Sequence, residues 1–259
     1  MFSIRPPLTS GGTAKVAIIT TATLLSLASS AGSVSAHSYP QTMSPPANAR
    51  LDFSPAHVAI AYDSDVAQNG TTLALLDSTG TPVPVQPDET SGRQSSVQPT
   101  SELAPGPYTV AWTSVSADDG HAAQGFYTFA VNGGPVGILA GAAQAQAPAA
   151  DLMATLTVMP APDGSSLLRA DLSDTAGVER VRIQLSRPDL GVDLLDTQPS
   201  GDGGWMLNGN EVAIPGTWHA QVIVRRANVV DDAKANFDFT VDSTTGAPAF
   251  ASASTLAPN

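Results

Sequence analysis

The chain has 259 residues, a formal net charge of −12 and no cysteine. This length suits one large or two small domains, and the lack of thiols excludes disulfides as well as thiolate zinc, iron–sulfur and blue-copper sites. So acidic a protein should repel nucleic acid and anionic lipid surfaces, which favours cations as partners. Acidity that serves only solubility outside the cell is the alternative explanation.

Residues 1–36 have the pattern of a secretory signal peptide. Arg5 and Lys15 supply the positive region, residues 16–28 are apolar, and the small residues 34–36 offer a cleavage position. The apolar run is too short to predict a membrane span, and no later stretch is long enough. The sequence therefore predicts a periplasmic or extracellular protein with no integral membrane segment after cleavage.

Cleavage after Ala36 would make His37 the first residue of the mature chain. A terminal histidine offers its α-amine and its ring Nδ1 to one metal ion, a chelate that no internal residue can form. These nitrogen donors suit Cu(II). The predicted site depends on cleavage at this bond, because a shift of one residue would remove the chelate.

Short alternating or apolar segments between Gly and Pro turns predict an all-β chain, with an Ig-like β-sandwich over residues 37–132. The proline-rich start should be extended and edge-like, and residues 86–98 read as a polar loop. The predicted strands of this half are 58–62, 72–77, 108–113 and 125–131.

Residues 133–150, rich in Ala, Gln and Pro and without apolar periodicity, predict a linker. A second β-sandwich is expected over 151–242, and the Ala/Ser/Thr/Pro-rich tail 243–259 is predicted to be disordered. The predicted strands of the second half are 154–159, 167–172, 178–185, 216–224 and 235–241.

Residues 116–121 read SADDGH and contain an Asp-x-His element. In an extended chain alternate side chains share a face, which puts Asp119 and His121 together and Asp118 on the other side. Two nitrogens from His37, one from His121 and one oxygen from Asp119 would form a tetragonal set that favours Cu(II). The alternative is a polar turn with Gly120 at positive φ.

Several linked motifs in this half occur in the order found in CopC-type periplasmic copper-binding proteins, which the segment of about 37–132 resembles. The motifs are SPPANARL at 44–51, PAHV at 55–58, GPYTVAW at 106–112 and SADDGH at 116–121.

The resemblance implies a β-sandwich in which the mature N-terminal His and the Asp-x-His element bind Cu(II). Those roles map onto His37, Asp119 and His121. Many members have one residue fewer before the Gly-His pair, so the choice between Asp118 and Asp119 stays open. An accessory carboxylate from the bend at 63–65 is not predicted.

The second half resembles YtkA-like or FixH-like β-sandwiches more loosely, through its Gly-Thr-Trp run at 216–218 and its alternation at 235–241. Such domains are also associated with copper handling, which implies a membrane copper transporter or an oxidase-assembly protein as a partner. Resistance, buffering and delivery remain open as roles.

The remaining candidate residues favour structural roles. His57 and His219 read as solvent-facing or sheet-face residues, and the scattered methionines predict no Met-rich Cu(I) site. Trp112 and Trp218 read as core anchors, whereas Trp205 has no explanation in the sequence.

The sequence thus predicts a non-enzymatic, secreted Cu(II)-binding protein. One alternative is a copper monooxygenase, because a terminal His with a second His on a β-sandwich also resembles the lytic polysaccharide monooxygenases; an Asp119 ligand would fill a position that the oxidant needs. The other is a metal-free adhesion or scaffold protein of two Ig-like modules. Serine hydrolase chemistry has no support, since no Gly-x-Ser-x-Gly elbow is present.

Overall fold

A computed structural model describes residues 38–131 and 137–251. The predicted signal peptide and His37 lie outside these described residues. The described part of the chain contains eighteen strands and no helix, so the predicted all-β fold is confirmed. It accordingly contains no helix that could cross a membrane.

The first β-sandwich consists of two four-stranded sheets, with strand orders β1-β3-β6-β5 and β2-β8-β7-β4. Its apolar core includes Ile60, Val110 and Phe129, which alternate with outward-facing residues along their strands. The strands are β1 (Pro40–Ser44), β2 (Ala49–Leu51), β3 (Val58–Tyr62), β4 (Thr72–Leu76), β5 (Val85–Ser91), β6 (Gln94–Pro99), β7 (Gly106–Val115) and β8 (Ala122–Val131).

The second β-sandwich consists of two five-stranded sheets, ordered β14-β15-β11-β10-β9 and β13-β12-β16-β17-β18. Its core includes the fully buried Leu156, Ile183 and Trp218. The strands are β9 (Ala143–Ala149), β10 (Leu152–Pro160), β11 (Ser166–Leu172), β12 (Val178–Arg187), β13 (Gly191–Asp196), β14 (Gln198–Pro199), β15 (Trp205–Gly209), β16 (Gly216–Arg226), β17 (Ala233–Val241) and β18 (Pro248–Phe250).

The expected linker 133–150 needs a correction, because residues 143–149 form strand β9. This strand pairs with β10 from Ala143 opposite Val158 to Ala149 opposite Leu152. Its inward-facing residues are alanines, whose methyl groups give little hydropathic contrast with their polar neighbours. The apolar pattern was therefore too weak to predict a strand.

The predicted disordered tail is also partly structured. Strand β18 pairs with β17, and the Phe250 ring lies 5.6 Å from that of Phe239 between centroids. Residues 252–259 of that predicted tail lie outside the described residues. Phe250, which lies among small and polar residues in the sequence, packs against aromatic rings of β17 and so holds this segment on the sheet.

The predicted polar loop 86–98 is instead the β5–β6 hairpin. The buried residues of β6 include two serines, whose hydroxyl groups are satisfied locally. Ser95 Oγ lies 3.2 Å from Thr90 Oγ1, and Ser96 Oγ donates to Asp88 Oδ2 at 2.9 Å. Buried hydroxyl groups with such partners need no apolar pattern, so periodicity could not reveal the hairpin.

The two sandwiches pack directly against each other. Leu76, Ala111 and Phe126 face outward from the first sandwich and join the core of the second. The Phe126 and Trp218 rings meet edge to face, with their centroids 5.6 Å apart. Gly125 allows the main chain of Val192 to approach the first sandwich, because a Cβ added there would lie 2.9 Å from the Val192 oxygen.

Candidate metal site

Residues 116–121 are the loop of the β7–β8 hairpin, the longest hairpin of the first sandwich. The main-chain N–H of Ser116 donates to the carbonyl of His121 at 2.9 Å, and that of Gly120 donates to the carbonyl of Ser116 at 3.0 Å. Gly120 has φ +75°, a conformation that glycine adopts without steric cost. The segment is a turn, so the expectation of an extended chain here was wrong.

The turn nevertheless brings Asp119 and His121 together. Asp119 Oδ1 accepts the main-chain N–H of His121 at 3.1 Å, and Asp119 Oδ2 lies 3.0 Å from the ring Nδ1. Aspartate commonly accepts the N–H two residues later in such turns. The carboxylate and the imidazole are both accessible, with 29% and 61% of the respective side chains exposed.

The turn also keeps the Asp119 carboxylate ionised. The main-chain N–H of His121 lowers the pKa of Asp119, and hydrogen bonds from the side chains of Ser116 and His121 act in the same direction. Burial opposes these effects but does not outweigh them. With its pKa lowered, the Asp119 carboxylate is ionised at neutral pH.

Asp118 occupies a different position in the turn. It is exposed, and its main-chain N–H donates to Ser116 Oγ at 3.3 Å. The carboxylate that contacts the His121 ring is that of Asp119. The geometry therefore favours Asp119 as the oxygen donor beside this imidazole.

The chain segment that follows His37 is fixed next to this loop. Ser38 is fully buried, its hydroxyl donates to the carbonyl of Asp65 at 3.2 Å, and its own carbonyl accepts from Ser114 Oγ at 2.5 Å. The same Asp65 carbonyl accepts the main-chain N–H of Ala117 at 2.9 Å. Ser38 and the loop residue Ala117 are therefore held by one shared acceptor.

The carboxylates of the 63–65 bend have structural partners. Asp63 Oδ1 accepts the main-chain N–H of Tyr39 at 2.9 Å, and Asp65 Oδ1 lies 3.4 Å from Arg93 Nε. Asp63 thus holds the N-terminal segment in place.

The other two described histidines also face aspartates. His57 Nδ1 lies 3.1 Å from Asp88 Oδ2, and His219 Nδ1 lies 2.8 Å from Asp238 Oδ1. Between residues 38 and 131 and between 137 and 251, no three His, Asp or Glu side chains converge on one point. The described residues thus supply Asp119 and His121 from the predicted ligand set, while His37 lies outside them.

The comparisons with known proteins match the first sandwich to a family. The CopC domain model matches residues 41–132. Among solved structures, CopC from Methylosinus trichosporium OB3b is 31% identical over 37% of this chain and 94% of that chain, with a TM-score of 0.34. PcoC from Escherichia coli, described as a methionine-rich copper resistance protein, is 22% identical over 37% of this chain and 99% of that chain, with a TM-score of 0.35.

No curated protein matches the chain. The looser likeness of the second β-sandwich to YtkA-like or FixH-like domains stays a prediction. The family match supports a copper-related function for the first sandwich. Residues 41–132 of this chain are a CopC domain.

Proposed function

We propose that the mature chain is a secreted, non-enzymatic protein that binds one Cu(II) ion through His37, Asp119 and His121 and buffers or delivers copper outside the cytoplasm. The observation that carries the proposal is the Asp119–His121 pair, 3.0 Å apart, on a loop that shares an acceptor with Ser38.

The donor chemistry suits Cu(II). His37 would supply its α-amine and a ring nitrogen once it is the first residue, and His121 and Asp119 would supply a second imidazole and a carboxylate oxygen. Nitrogen and oxygen donors in a tetragonal set favour Cu(II) over the other divalent first-row ions. Two ligands about 2.0–2.1 Å from an ion and at right angles lie about 2.9 Å apart, close to the Asp119–His121 separation.

The position of Ser38 supports the contribution of His37. Ser38 is buried beside the 116–121 loop, because its hydroxyl and the main-chain N–H of Ala117 donate to the same carbonyl of Asp65. The hydrogen bonds of Ser38 and Tyr39 hold the strand start and reduce the entropy that a free N-terminus would lose on binding a metal.

The CopC domain and the likeness to proteins named for copper resistance support copper as the cargo. The secretory pattern of residues 1–36 supports a periplasmic or extracellular location, where a membrane copper transporter or an oxidase-assembly protein would exchange copper with this chain. A carboxylate ligand at Asp119 favours storage of the ion over oxidant activation, which needs an open coordination position.

Cu(II) titration of three chains tests the proposal: one that begins at His37, one that retains Ala36, and a His37→Ala chain. Only the first should bind one equivalent tightly. Loss of the terminal chelate should weaken binding by more than the roughly 100-fold that loss of a supporting residue can cost. His57→Ala is the matched control, because it removes another exposed imidazole. Equal affinity of all three chains would overturn the assignment.

A further inference from the structure

A second imidazole–carboxylate pair lies on the second β-sandwich. His219 on β16 and Asp238 on β17 occupy directly opposite positions of the ladder, and His219 Nδ1 lies 2.8 Å from Asp238 Oδ1. The neighbouring Trp218 and Ala220 face the core, so the pair stands on the outer face of the sheet. The pair has the same chemistry as Asp119 and His121 and a similar separation.

This pair lies in a recess between the two sandwiches. A cavity of about 570 Å³ is lined by His219 and Asp238, by the hydroxyl-bearing Ser186 and Thr217, and by Gln124 from the first sandwich. The side-chain oxygens of Gln124, Ser186 and Thr217 add neutral donors to the imidazole and the carboxylate. His57 and Asp88, by contrast, line none of the cavities that adjoin the described sandwich junction.

The same recess continues towards the 116–121 loop. Gln124 and Val192 line both this cavity and a neighbouring cleft of about 600 Å³. Ala122, the residue after His121, also lines that cleft. Gln124 lies three strand residues after His121, a distance of about 10 Å along the chain. Two adjoining cavities, which share Gln124 and Val192 in their linings, therefore extend from His219 to Ala122, the residue after His121.

We propose that His219 and Asp238 form a second, weaker Cu(II) site, so that the second sandwich holds copper in the cavity that these two residues line. The inference rests on the proposed function, because it gives the same cargo a second position. The ring nitrogen and the carboxylate oxygen provide two ligands already at a suitable separation, and water completes the coordination. The site is weaker than the first because it lacks an amine chelate.

The positive charge in the lining of the cavity is already compensated. Arg187 lines the cavity, but its guanidinium donates to both oxygens of Asp189, at 3.0 and 2.9 Å, and to the carbonyl of Pro215 at 2.6 Å. It also stacks over the Trp218 ring, with Cζ 5.1 Å from the centroid. Neutralisation by Asp189 leaves the negative charge of Asp238 available to a cation.

Calorimetric Cu(II) titration of the chain that begins at His37 tests the inference. The expected isotherm has one tight equivalent and one weaker equivalent. His219→Ala should remove only the weaker one, and His121→Ala should weaken only the tight one. His57→Ala is the control for adventitious imidazole binding, because the His57 ring also faces an aspartate but lines neither cavity.

Paramagnetic broadening of NMR resonances localises the second ion independently of the isotherm. The second equivalent should broaden the Ser186 and Thr217 resonances in the chain that begins at His37 but not in His219→Ala. A single equivalent in the titration, or a weak phase that His57→Ala reduces as much as His219→Ala, would overturn the second site and leave the first intact. If the chain that begins at His37 binds the weaker equivalent but no tight one, the result contradicts the proposed function instead.

Discussion

Asn48 Nδ2 donates a hydrogen bond to Glu211 Oε1 at 2.9 Å and so joins the first sandwich to a buried carboxylate of the second. Asn48 Oδ1 accepts the main-chain N–H of Asn210 at 2.6 Å. The residue has φ +61°, a conformation that asparagine tolerates better than most side chains. Asn48 thus serves as a polar anchor between the two sandwiches, and Arg50 of the same SPPANARL run adds an ion pair with Asp163.

Asn48→Ala should destabilise the protein by about 2–4 kcal/mol, because it leaves the buried Glu211 carboxylate without its donor and places alanine at positive φ. Denaturant unfolding measures the change. The control is Asn236→Ala, which removes an exposed hydrogen bond with Gln221 and should cost less than about 0.5 kcal/mol. Equal losses for both variants would show that Asn48 is not an anchor.

Asp193 should make stability fall as pH rises. Burial, with a contribution from the charge of Glu211, raises the pKa of Asp193 to about 7. In the unfolded chain the group ionises near pH 4, so between about pH 4 and 7 the folded state holds the extra proton. The free energy of unfolding therefore decreases through this interval and levels off above it.

Asp193→Asn should remove that slope and stabilise the protein at pH 8 by about 2–4 kcal/mol, with little effect at pH 4. Urea unfolding at a series of pH values measures the difference. Asp196→Asn, an exposed carboxylate on the same strand, provides the control. An unchanged slope in Asp193→Asn would mean that another group causes it.

The two neighbouring aspartates of the loop should differ in their effect on copper. Asp119→Asn should weaken Cu(II) binding about 10–100-fold, because Asp119 contacts the His121 ring and carries the ionised oxygen. Asp118→Asn should change the affinity less than about threefold, as expected for an exposed charge partly screened by salt. Competition against a chelator measures both. The reverse order would assign the ligand to Asp118.

Copper affinity should fall on acidification because the nitrogen donors become protonated, whereas Asp119 stays ionised. The free α-amine has a pKa of about 7.7–8.0, so Cu(II) must displace its proton at neutral pH. The pKa of Asp119 is lowered, chiefly by the main-chain N–H of His121, so this carboxylate stays ionised when the nitrogens are protonated. Cu(II) titrations between pH 5 and 8 should show the same change of affinity with pH for the chain that begins at His37 and for its Asp119→Asn variant.

If the affinity of the unsubstituted chain falls more steeply with pH than that of Asp119→Asn, this order of protonation is contradicted. His57→Ala serves again as the control, because its removal leaves all the proposed ligands in place. Its pH slope should match that of the starting chain.

The sequence predicts the proximity of Asp119 and His121, but for a reason that does not hold. Spacing by two residues suggests a shared strand face, whereas the contact arises from a turn in which the carboxylate caps a main-chain N–H. Both conformations bring residues i and i+2 together, so spacing alone cannot distinguish them. The ligand roles of the two residues stay predictions.

Features that depend on pairing between distant segments could not be predicted from the sequence. The His219–Asp238 contact requires the register of β16 and β17, and the hydrogen bond between Asn48 and Glu211 spans 163 residues. Trp205, unexplained in the sequence, lies half-buried on β15 and packs against the second core. Its glycine and polar neighbours hide that packing from any periodicity argument.

The edge-to-face contact of Phe126 with Trp218 has a consequence for cooperativity. A phenylalanine from the family-matched segment belongs to the core of the other sandwich, so neither half can lose its structure without uncovering aromatic surface in its neighbour. Heating should therefore produce a single calorimetric peak rather than two. A cut after residue 131 would separate Phe126 from the core in which it packs and would expose the face of Trp218 that it covers.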